Sequence, residues 1–556
     1  MTSMPSQHAE SILQQGYRRN WDSYIRQLTS TRGPKWDLCI LTASSERQAH
    51  AYRLQLDYRR RAGLLPAGTE FVVVPDPEGR RIGSGGATIW ALSAAARLLA
   101  DEGGRSASGE NPFSGRRILL INSGGDSKRL PHYSAFGKLF ARVPHELPDG
   151  RCSTLFDEFL VSLCGLPPLM SDGVMVVSGD VLLLFDQSQL DFARQGVVGV
   201  SMLVEPATAA HHGVYVPAGR RNTVRRFLHK PPVETMRQCG AIDDSGQVRV
   251  DTGIVWFDPT FALSLFETVG GEPGADPPEG SLYRRIVREG VTVNVYGDFL
   301  MPLAMDTDRE AYLADTSDGP ATEGLQAVRR RAWEVLRGAT FAAQAVRPAR
   351  FIHFGTTAEY RHTLTTGPEV YRGMHWRDQV ASHPPVGDPP ARPIVLNSLV
   401  PGLEETPEPG RPIIEDSRIE APVTVGDGAI LAHVHLRKTA AEIDPDVVVH
   451  QAPVSLTDAE GARTGVVTRL FGVNDNPKYA LDDDRATFLN RPFREWMQAA
   501  GVTEADLWDP DTPETDRSLW TARLFPLASA ADESLRLAPW MQRPAVLQPG
   551  TKMPAD

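Results

Sequence analysis

Short apolar runs alternate with amphipathic stretches through the first half of the chain, and their periods separate strands from helices. Residues 38–41, 71–74, 118–121, 174–177, 197–204, 254–257 and 291–295 are apolar runs of strand length. Between them Ile89, Leu92, Ala96 and Leu99 return every three or four residues, as one face of a helix does. This alternation predicts an α/β fold, a sheet covered by helices, over residues 36–310. A helical segment at 1–35 is expected before it and a helical linker at 311–345 after it. The stretches GGRSASGENPFSG (103–115) and GGEPGADPPEG (270–280) have the glycine, proline and serine content of surface insertions.

Beyond residue 345 the texture changes. The segments HPPVGDPPARP (383–393) and PEPGRP (407–412) interrupt the chain, and Ile413, Ile419, Val425 and Leu431 then fall six residues apart, the period of hexapeptide coils. The spacing predicts a β-solenoid (β-helix) domain over 346–470, with ordinary sandwich strands as the alternative. From 471 to 556 helical and irregular texture returns. Trp496, Trp508, Trp520 and Trp540 are expected there as core aromatics of a C-terminal subdomain packing on the solenoid.

Composition narrows the function classes. A chain of 556 residues exceeds one ordinary core, and 41% hydrophobic with 23% charged residues is the balance of a folded globular protein of two or three domains. The formal charge of −11, without a basic run, argues against nucleic-acid binding, so any anionic ligand must meet a local cluster of cations. Cys39, Cys152, Cys164 and Cys239 form no C-x-x-C pair, which indicates neither a disulfide framework nor a thiolate metal site. The N-terminus has no signal-like apolar stretch and nowhere do 18 apolar residues run together, so a cytoplasmic protein without a membrane span is expected.

The most informative chemistry follows the run at 118–121, where the chain enters SGGDSKRLP (123–131) and then Gly137-Lys138. Gly124 and Gly125 let backbone N–H groups approach a phosphate, Asp126 and Ser127 continue the loop, and Lys128, Arg129 and Lys138 neutralise charge. This predicts a triphosphate cradle. It is not a Walker A loop, because His132 and Leu139 stand where that pattern needs glycine and a hydroxyl residue. A second cluster, GSGGAT (83–88), opens a predicted helix with Gly83, Gly85 and Gly86. It offers either an anion site at a helix N-terminus or a simple turn and cap.

Asp180 follows the run 174–177 and Asp298 follows 291–295, so both carboxylates are expected at strand ends, where α/β sheets bind ligands; together they predict a shared Mg²⁺. Lys230, in FLHKPP (227–232), lies in a segment expected to be extended and suits a sugar phosphate. Asp251, Thr252 and Gly253 offer a carboxylate, a hydroxyl and backbone to sugar hydroxyls, although a turn leading into a strand explains them equally well.

Taken in order, LTA (41–43) with Gln48-Ala49, Asp76-Pro77 followed by GSGGAT, SGGDSKRLP with Gly137-Lys138, SGDVLL, FLHKPP, DTGIVWF and YGDFL resemble the guanylyltransferase part of the L-fucokinase and L-fucose-1-phosphate guanylyltransferase family. HFGTT (353–357), FGVNDNPK (471–478) and SLWTARLFP (518–526) extend the resemblance to most of the chain. It implies a nucleotidyltransferase domain (GT-A-like, Rossmann-like) and then a β-solenoid. It also implies that Gly124, Gly125, Arg129 and Lys138 hold the triphosphate, Asp180 and Asp298 hold Mg²⁺, and Lys230 meets the sugar phosphate. The implied reaction joins L-fucose 1-phosphate to GTP with release of pyrophosphate. Another sugar or nucleotide, or a non-catalytic sugar-nucleotide-binding protein, are the alternatives. The kinase part of bifunctional members has no counterpart in these motifs, so no kinase activity is expected, and a homo-oligomer paired through a solenoid edge is compatible with the pattern.

Overall fold

Six of the seven apolar runs become strands, and all six lie in one sheet. The computed structural model describes residues 7–102, 111–219, 222–269, 280–317, 319–383, 393–404, 411–458, 461–542 and 552–553. The expected insertions at 103–115 and 270–280 and the two proline-rich segments lie largely outside the described residues. The chain divides into two compact units, one of Met1–Gly125 with Glu158–Ile352 and one of Asp126–Asp157 with His353–Asp556. The continuous block expected over 36–310 is therefore interrupted: 32 residues in its middle belong to the second unit.

In the first unit the strands are β1 (Leu38–Ala43), β2 (Glu70–Pro75), β3 (Arg117–Asn122), β4 (Gly173–Ser178), β5 (Val197–Val204), β6 (Gly213–Ala218), β7 (Thr223–His229), β8 (Val248–Phe257) and β9 (Phe341–Val346). They form one sheet in the order β2-β1-β3-β4-β8-β5-β9-β7-β6. The first four are parallel, and β8 runs antiparallel to β4, opposing Ile254 to Val177. The carboxyl ends of β1, β3 and β4 thus share one side of the sheet with the middle of β8. Strand burial is nearly continuous in β1, β3 and β4, as expected where helices cover both faces. Helix α2 (Glu46–Arg61) lies between β1 and β2 in the chain, and helix α3 (Gly83–Glu102) buries the predicted stripe of Ile89, Leu92, Ala96 and Leu99 in this core.

Two expectations are corrected here. The run 291–295 is not a strand, because the Val293 N–H donates to the Ile82 carbonyl and the Val293 carbonyl accepts from Gly85, which ties the segment to the start of α3. The chain then enters a π-helical turn at Val295–Leu300. The stretch 311–345 is also more than a linker. After the helix Glu323–Leu336 it supplies β9, which pairs in parallel with β5 inside the sheet. Residues 1–35 contain the expected helix, α1 (Gln7–Thr29).

The second unit carries short parallel strands. Ile394–Leu396, Ile413–Glu415, Ile430–Ala432 and Val447–Asp458 pair successively, with Cα partners 17 to 19 residues apart in sequence. Two further parallel pairs, Arg418–Ile419 with His435–Leu436 and Val423–Val425 with Ala441–Ile443, repeat that offset. Ile413, Ile419, Val425 and Leu431 fall in four successive strands and all are buried. Val447–Asp458 then forms a long antiparallel hairpin with Gly461–Gly472. Residues 126–157 are seated in this unit by the Arg142–Asp416 ion pair, with nitrogen–oxygen distances of 2.9 and 2.5 Å. Trp496, Trp508 and Trp520 are buried, and Trp540 packs 5.8 Å from Trp496 between ring centroids. All four cysteines are free thiols, and among the described residues no helix is long and apolar enough to cross a membrane.

Candidate active site

Three glycines let the carboxyl side of the sheet close up tightly. A Cβ on Gly124 would stand 3.2 Å from the Ala43 carbonyl carbon at the end of β1, and one on Gly179 would stand 2.8 Å from the Asn122 carbonyl at the end of β3. One on Gly253 would stand 2.9 Å from the Ser178 Cβ at the end of β4. Gly253 also has φ +75°, where a side chain is strained whatever the space. Gly253→Ala is accordingly expected to lower both stability and turnover, which thermal unfolding and steady-state assays of the same preparation would show.

This closure brings Asp180, Asp251 and Tyr296 into one neighbourhood. Asp180 stands two residues past β4 as expected, half-buried, with Ser178 Oγ donating to its Oδ1 at 2.8 Å. Asp251 accepts from the Tyr215 hydroxyl at 2.8 Å and from the Gly253 N–H at 3.2 Å. Burial pushes the Asp251 carboxyl up to about 7, against the partial offset of those bonds. Tyr296 is raised well above the ordinary phenol range by burial and by the nearby Asp251 and Asp180 carboxylates, so it stays a neutral hydroxyl beside two acids. Its ring stacks 6.5 Å from Phe227. Thr252 is different: its hydroxyl is buried and donates to the Val200 carbonyl at 2.7 Å.

The raised Asp251 gives a signed pH dependence. Between its ordinary value of 3.8 and about 7 the folded state holds a proton that the unfolded state has lost. Stability therefore falls as pH rises through that window. Asp251→Asn should flatten this part of the stability profile, which denaturant titrations at pH 5, 6, 7 and 8 would reveal (about one pH step per point across the window). An identical slope in the variant would assign the pH dependence elsewhere.

Two expected ligand groups are placed where they serve the fold. Gly83 and Gly85 are packed against the chain at 292–294, where a Cβ would come within 2.4 Å of the Val293 carbonyl oxygen and 3.0 Å of the Asn294 carbonyl carbon, respectively. The Gly85 and Gly86 N–H groups donate to the Val293 carbonyl at 2.7 and 3.4 Å. The start of α3 is thus capped by backbone, the turn-and-cap arrangement that stood beside an anion site as the two readings of Gly83, Gly85 and Gly86. Asp298 is buried, its Oδ1 2.7 Å from Arg329 Nε and its Oδ2 accepting from the Asn294 N–H at 2.7 Å. Both carboxylate oxygens are engaged within the protein, in a buried ion pair with Arg329 and a bond from the Asn294 N–H, and Asp298 stands in the π-helical turn rather than at the expected strand end. Lys230 is exposed and, rather than extended, has φ +44°, an uncommon backbone state for a lysine before proline. Its N–H donates to the His212 carbonyl at 3.1 Å.

The glycine loop passes from the first unit to the second between Gly125 and Asp126. On the first side, Gly125 is exposed with open space at its α-carbon, and Gln48 Nε2 donates to its carbonyl at 3.0 Å. On the second side, Asp126 is exposed and Ser127 is buried with φ +55°, its hydroxyl accepting the Lys138 N–H at 3.2 Å and so closing the loop upon itself. The Arg129 carbonyl accepts from the Thr357 N–H at 2.9 Å, and Lys138 Nζ donates to the Gly355 carbonyl at 2.6 Å. Lys128 lies with its ammonium 5.4 Å from the centre of the Trp520 ring. Lys128 and Lys138 are thus held through their ammonium groups, by an aromatic ring and a backbone carbonyl, whereas Arg129 is held through its own backbone carbonyl.

A family model described as the fucose pyrophosphorylase domain matches residues 111–530, most of the chain. The chain belongs to the fucose pyrophosphorylase family. Fucose-1-phosphate guanylyltransferase of Homo sapiens is 27% identical over 547 residues, covering 92% of this chain and 85% of its own. The Mus musculus protein of the same name is 25% identical, covering 92% and 87%. The bifunctional fucokinase/GDP-fucose pyrophosphorylase of Arabidopsis thaliana is 29% identical over 97% of this chain and 51% of its own length.

Within this fucose pyrophosphorylase domain the structure gives several motifs roles that sequence reasoning missed. In YGDFL the tyrosine, Tyr296, faces the acidic neighbourhood, and the aspartate pairs with Arg329. The motif was visible, but the side of its turn was not. HFGTT supplies Gly355 and Thr357, the anchors of Lys138 and Arg129, and SLWTARLFP supplies Trp520. In FGVNDNPK the buried Asp475 accepts backbone N–H groups from Gly472, Leu489 and Asn490, a purely structural hub.

Proposed function

We propose that this fucose pyrophosphorylase joins a sugar 1-phosphate to a nucleoside triphosphate, with L-fucose 1-phosphate and GTP as the pair and pyrophosphate as the second product. The observation that carries the reading is the family match across residues 111–530, within which the loop cations and Asp180 lie. An oxygen of the sugar phosphate attacks the α-phosphorus, the new P–O bond forms, and the bond to the β-phosphate oxygen breaks as pyrophosphate leaves. A phosphate monoester is largely dianionic at neutral pH, its second pKa being about 6, so no general base is needed. Rate then depends on positioning and charge neutralisation.

Arg129 and Lys138 neutralise the departing pyrophosphate, Gly124 and Gly125 let the backbone approach the triphosphate, and Lys230 orients the incoming monoester. Asp251, neutral or ionised around pH 7, hydrogen-bonds sugar hydroxyls with Tyr296 beside it. Among the described residues no group of three or more His, Cys, Asp or Glu side chains is placed to hold a metal ion by itself. A half-buried Asp180 at the sheet's carboxyl side nevertheless fits Mg²⁺, an ion commonly held by one or two carboxylates together with substrate phosphates. Bound there, Mg²⁺ would supply charge neutralisation to the phosphates. We also read the second unit as a short β-solenoid, a reading supported by its parallel ladders at 17 to 19 residues per coil.

The test is incubation with Mg²⁺, a panel of sugar 1-phosphates and each nucleoside triphosphate, following pyrophosphate release and product mass. Release with L-fucose 1-phosphate and GTP supports the pair. Release with another pair keeps the chemistry and replaces the substrates, and no product from any pair with folded protein overturns the reading. Lys230→Ala should raise the KM for the sugar 1-phosphate about tenfold to a hundredfold, the worth of one charge-assisted hydrogen bond, with the nucleotide KM little changed. A selective loss of nucleotide affinity would contradict the role.

A further inference from the structure

Behind the cation-bearing loop, in the second unit, stands a buried guanidinium that belongs to none of the residues assigned above. Arg469 lies on the hairpin strand Gly461–Gly472, directly opposite His450 in the antiparallel register. Its Nη2 is 2.9 Å from the Pro131 carbonyl oxygen, 3.1 Å from Ser134 Oγ and 2.9 Å from His450 Nδ1. Its Nε is also 3.3 Å from His450 Nδ1. Because Arg469 only donates, His450 must accept through Nδ1 and carry its proton on Nε2, the neutral tautomer. Burial beside Arg469 favours that neutral form.

The two loop contacts are placed to hold the far side of a self-closed segment. The turn from Ser127 to Leu130 is closed by the Leu130 N–H donating to the Ser127 carbonyl at 2.7 Å. Pro131–Tyr133 follows as a single 3₁₀ turn, and the Lys138 N–H returns to the Ser127 hydroxyl. Thr357 and Gly355 grip this segment at Arg129 and Lys138, and Arg469 grips it at Pro131 and Ser134. Of these four fixed points two are set by the hairpin, so the backbone path that carries Arg129 and Lys138 depends on where Arg469 stands. A guanidinium suits the task because its planar fork bonds several acceptors in a fixed geometry, whereas an ammonium is a point charge on a flexible stem.

We propose that Arg469, oriented by His450, is a positioning residue that sets the triphosphate-binding conformation of the loop 126–138. This rests on the reading of that loop as the triphosphate cradle. The experiment is steady-state kinetics of Arg469→Met, Arg469→Lys and Ser134→Ala, together with Arg129→Ala as a probe of the cradle itself, with binding of a non-hydrolysable nucleoside triphosphate measured in parallel. Arg469→Met is expected to weaken nucleotide binding and raise the nucleotide KM about tenfold, the order of one charged hydrogen bond, with the sugar 1-phosphate KM unchanged. Arg469→Lys should recover part of the loss, and Ser134→Ala should show the same selectivity to a smaller extent.

If Arg469→Met fails to fold, Ser134→Ala decides, since it deletes one loop contact and leaves the buried charge with its other partners. Unchanged nucleotide affinity in Ser134→Ala and Arg469→Lys overturns the proposal, as does an equal loss for both substrates. If Arg129→Ala leaves nucleotide affinity intact, the cradle reading fails and the proposal with it. If Arg129→Ala weakens nucleotide binding and the Arg469 and Ser134 variants do not, only the positioning role is lost.

Discussion

Asp180→Asn is expected to lower turnover by about a hundredfold to a thousandfold, the range seen when one preorganised electrostatic contact is removed from a transition state. Asparagine keeps the size of the side chain and retains an oxygen for the Ser178 hydroxyl, which now donates to Oδ1 at 2.8 Å. The change therefore removes charge and leaves shape. Nucleotide binding should be much less affected, because the residues assigned to the triphosphate, Arg129 and Lys138, are anchored by separate partners, the backbone carbonyl of Arg129 by Thr357 and the Lys138 ammonium by Gly355. Pyrophosphate-release kinetics at several Mg²⁺ concentrations provide the measurement. A rise in the Mg²⁺ needed for half-maximal rate would tie the carboxylate to the ion, and unchanged turnover would remove Asp180 from the site.

The second large effect is on stability. In Asp298→Asn the Arg329 guanidinium, with its side chain 3% exposed, loses the carboxylate 2.7 Å away. Breaking a buried pair from one side costs about 3–5 kcal/mol, because the remaining charge stays desolvated, here with only the more distant Asp315 carboxylate, 3.9 Å away, as a counter-charge. Arg329 is also tied to the Asp315 and Tyr312 carbonyls, at 2.6 and 3.3 Å, so it cannot turn to water without giving up further bonds. Thermal and denaturant unfolding of the first unit should register the loss. Replacing both members by apolar residues, Asp298→Leu with Arg329→Met, should recover a large part of it. Full stability in Asp298→Asn combined with a raised Mg²⁺ requirement would restore the metal role that the geometry argues against.

The contrast between these aspartates shows how far the site could be read in advance. Each follows an apolar run, and local pattern treats them alike. Asp180 does stand just past a strand, because 174–177 is flanked by partners on both sides in a sheet that buries it fully. The run 291–295 has the same apolar character, but its backbone pairs with the first turn of α3, and the chain continues into a π-helical turn that aims Asp298 inward and leaves Tyr296 beside the acids. The glycines divide in the same way. Gly124 and Gly253 relieve close approach on the carboxyl side of the sheet, whereas Gly83 and Gly85 relieve packing against 292–294. Composition cannot distinguish the cases, since the colliding atoms come from residues far away in sequence.

The sequence by itself determined what depends on local period and ordered motif: six strands, the helix stripe of α3, the six-residue spacing of Ile413, Ile419, Val425 and Leu431, and membership of the family through motifs spread along the chain. Tertiary structure alone decided the partners. It transferred 126–157 to the second unit, put residues 341–346 into the sheet, engaged Asp298 with Arg329, and set Arg469 behind the loop that carries Arg129. The physical reason is that periodicity reports which face of an element is buried, whereas hydrogen bonds and ion pairs join particular atoms whose meeting depends on the whole path of the chain.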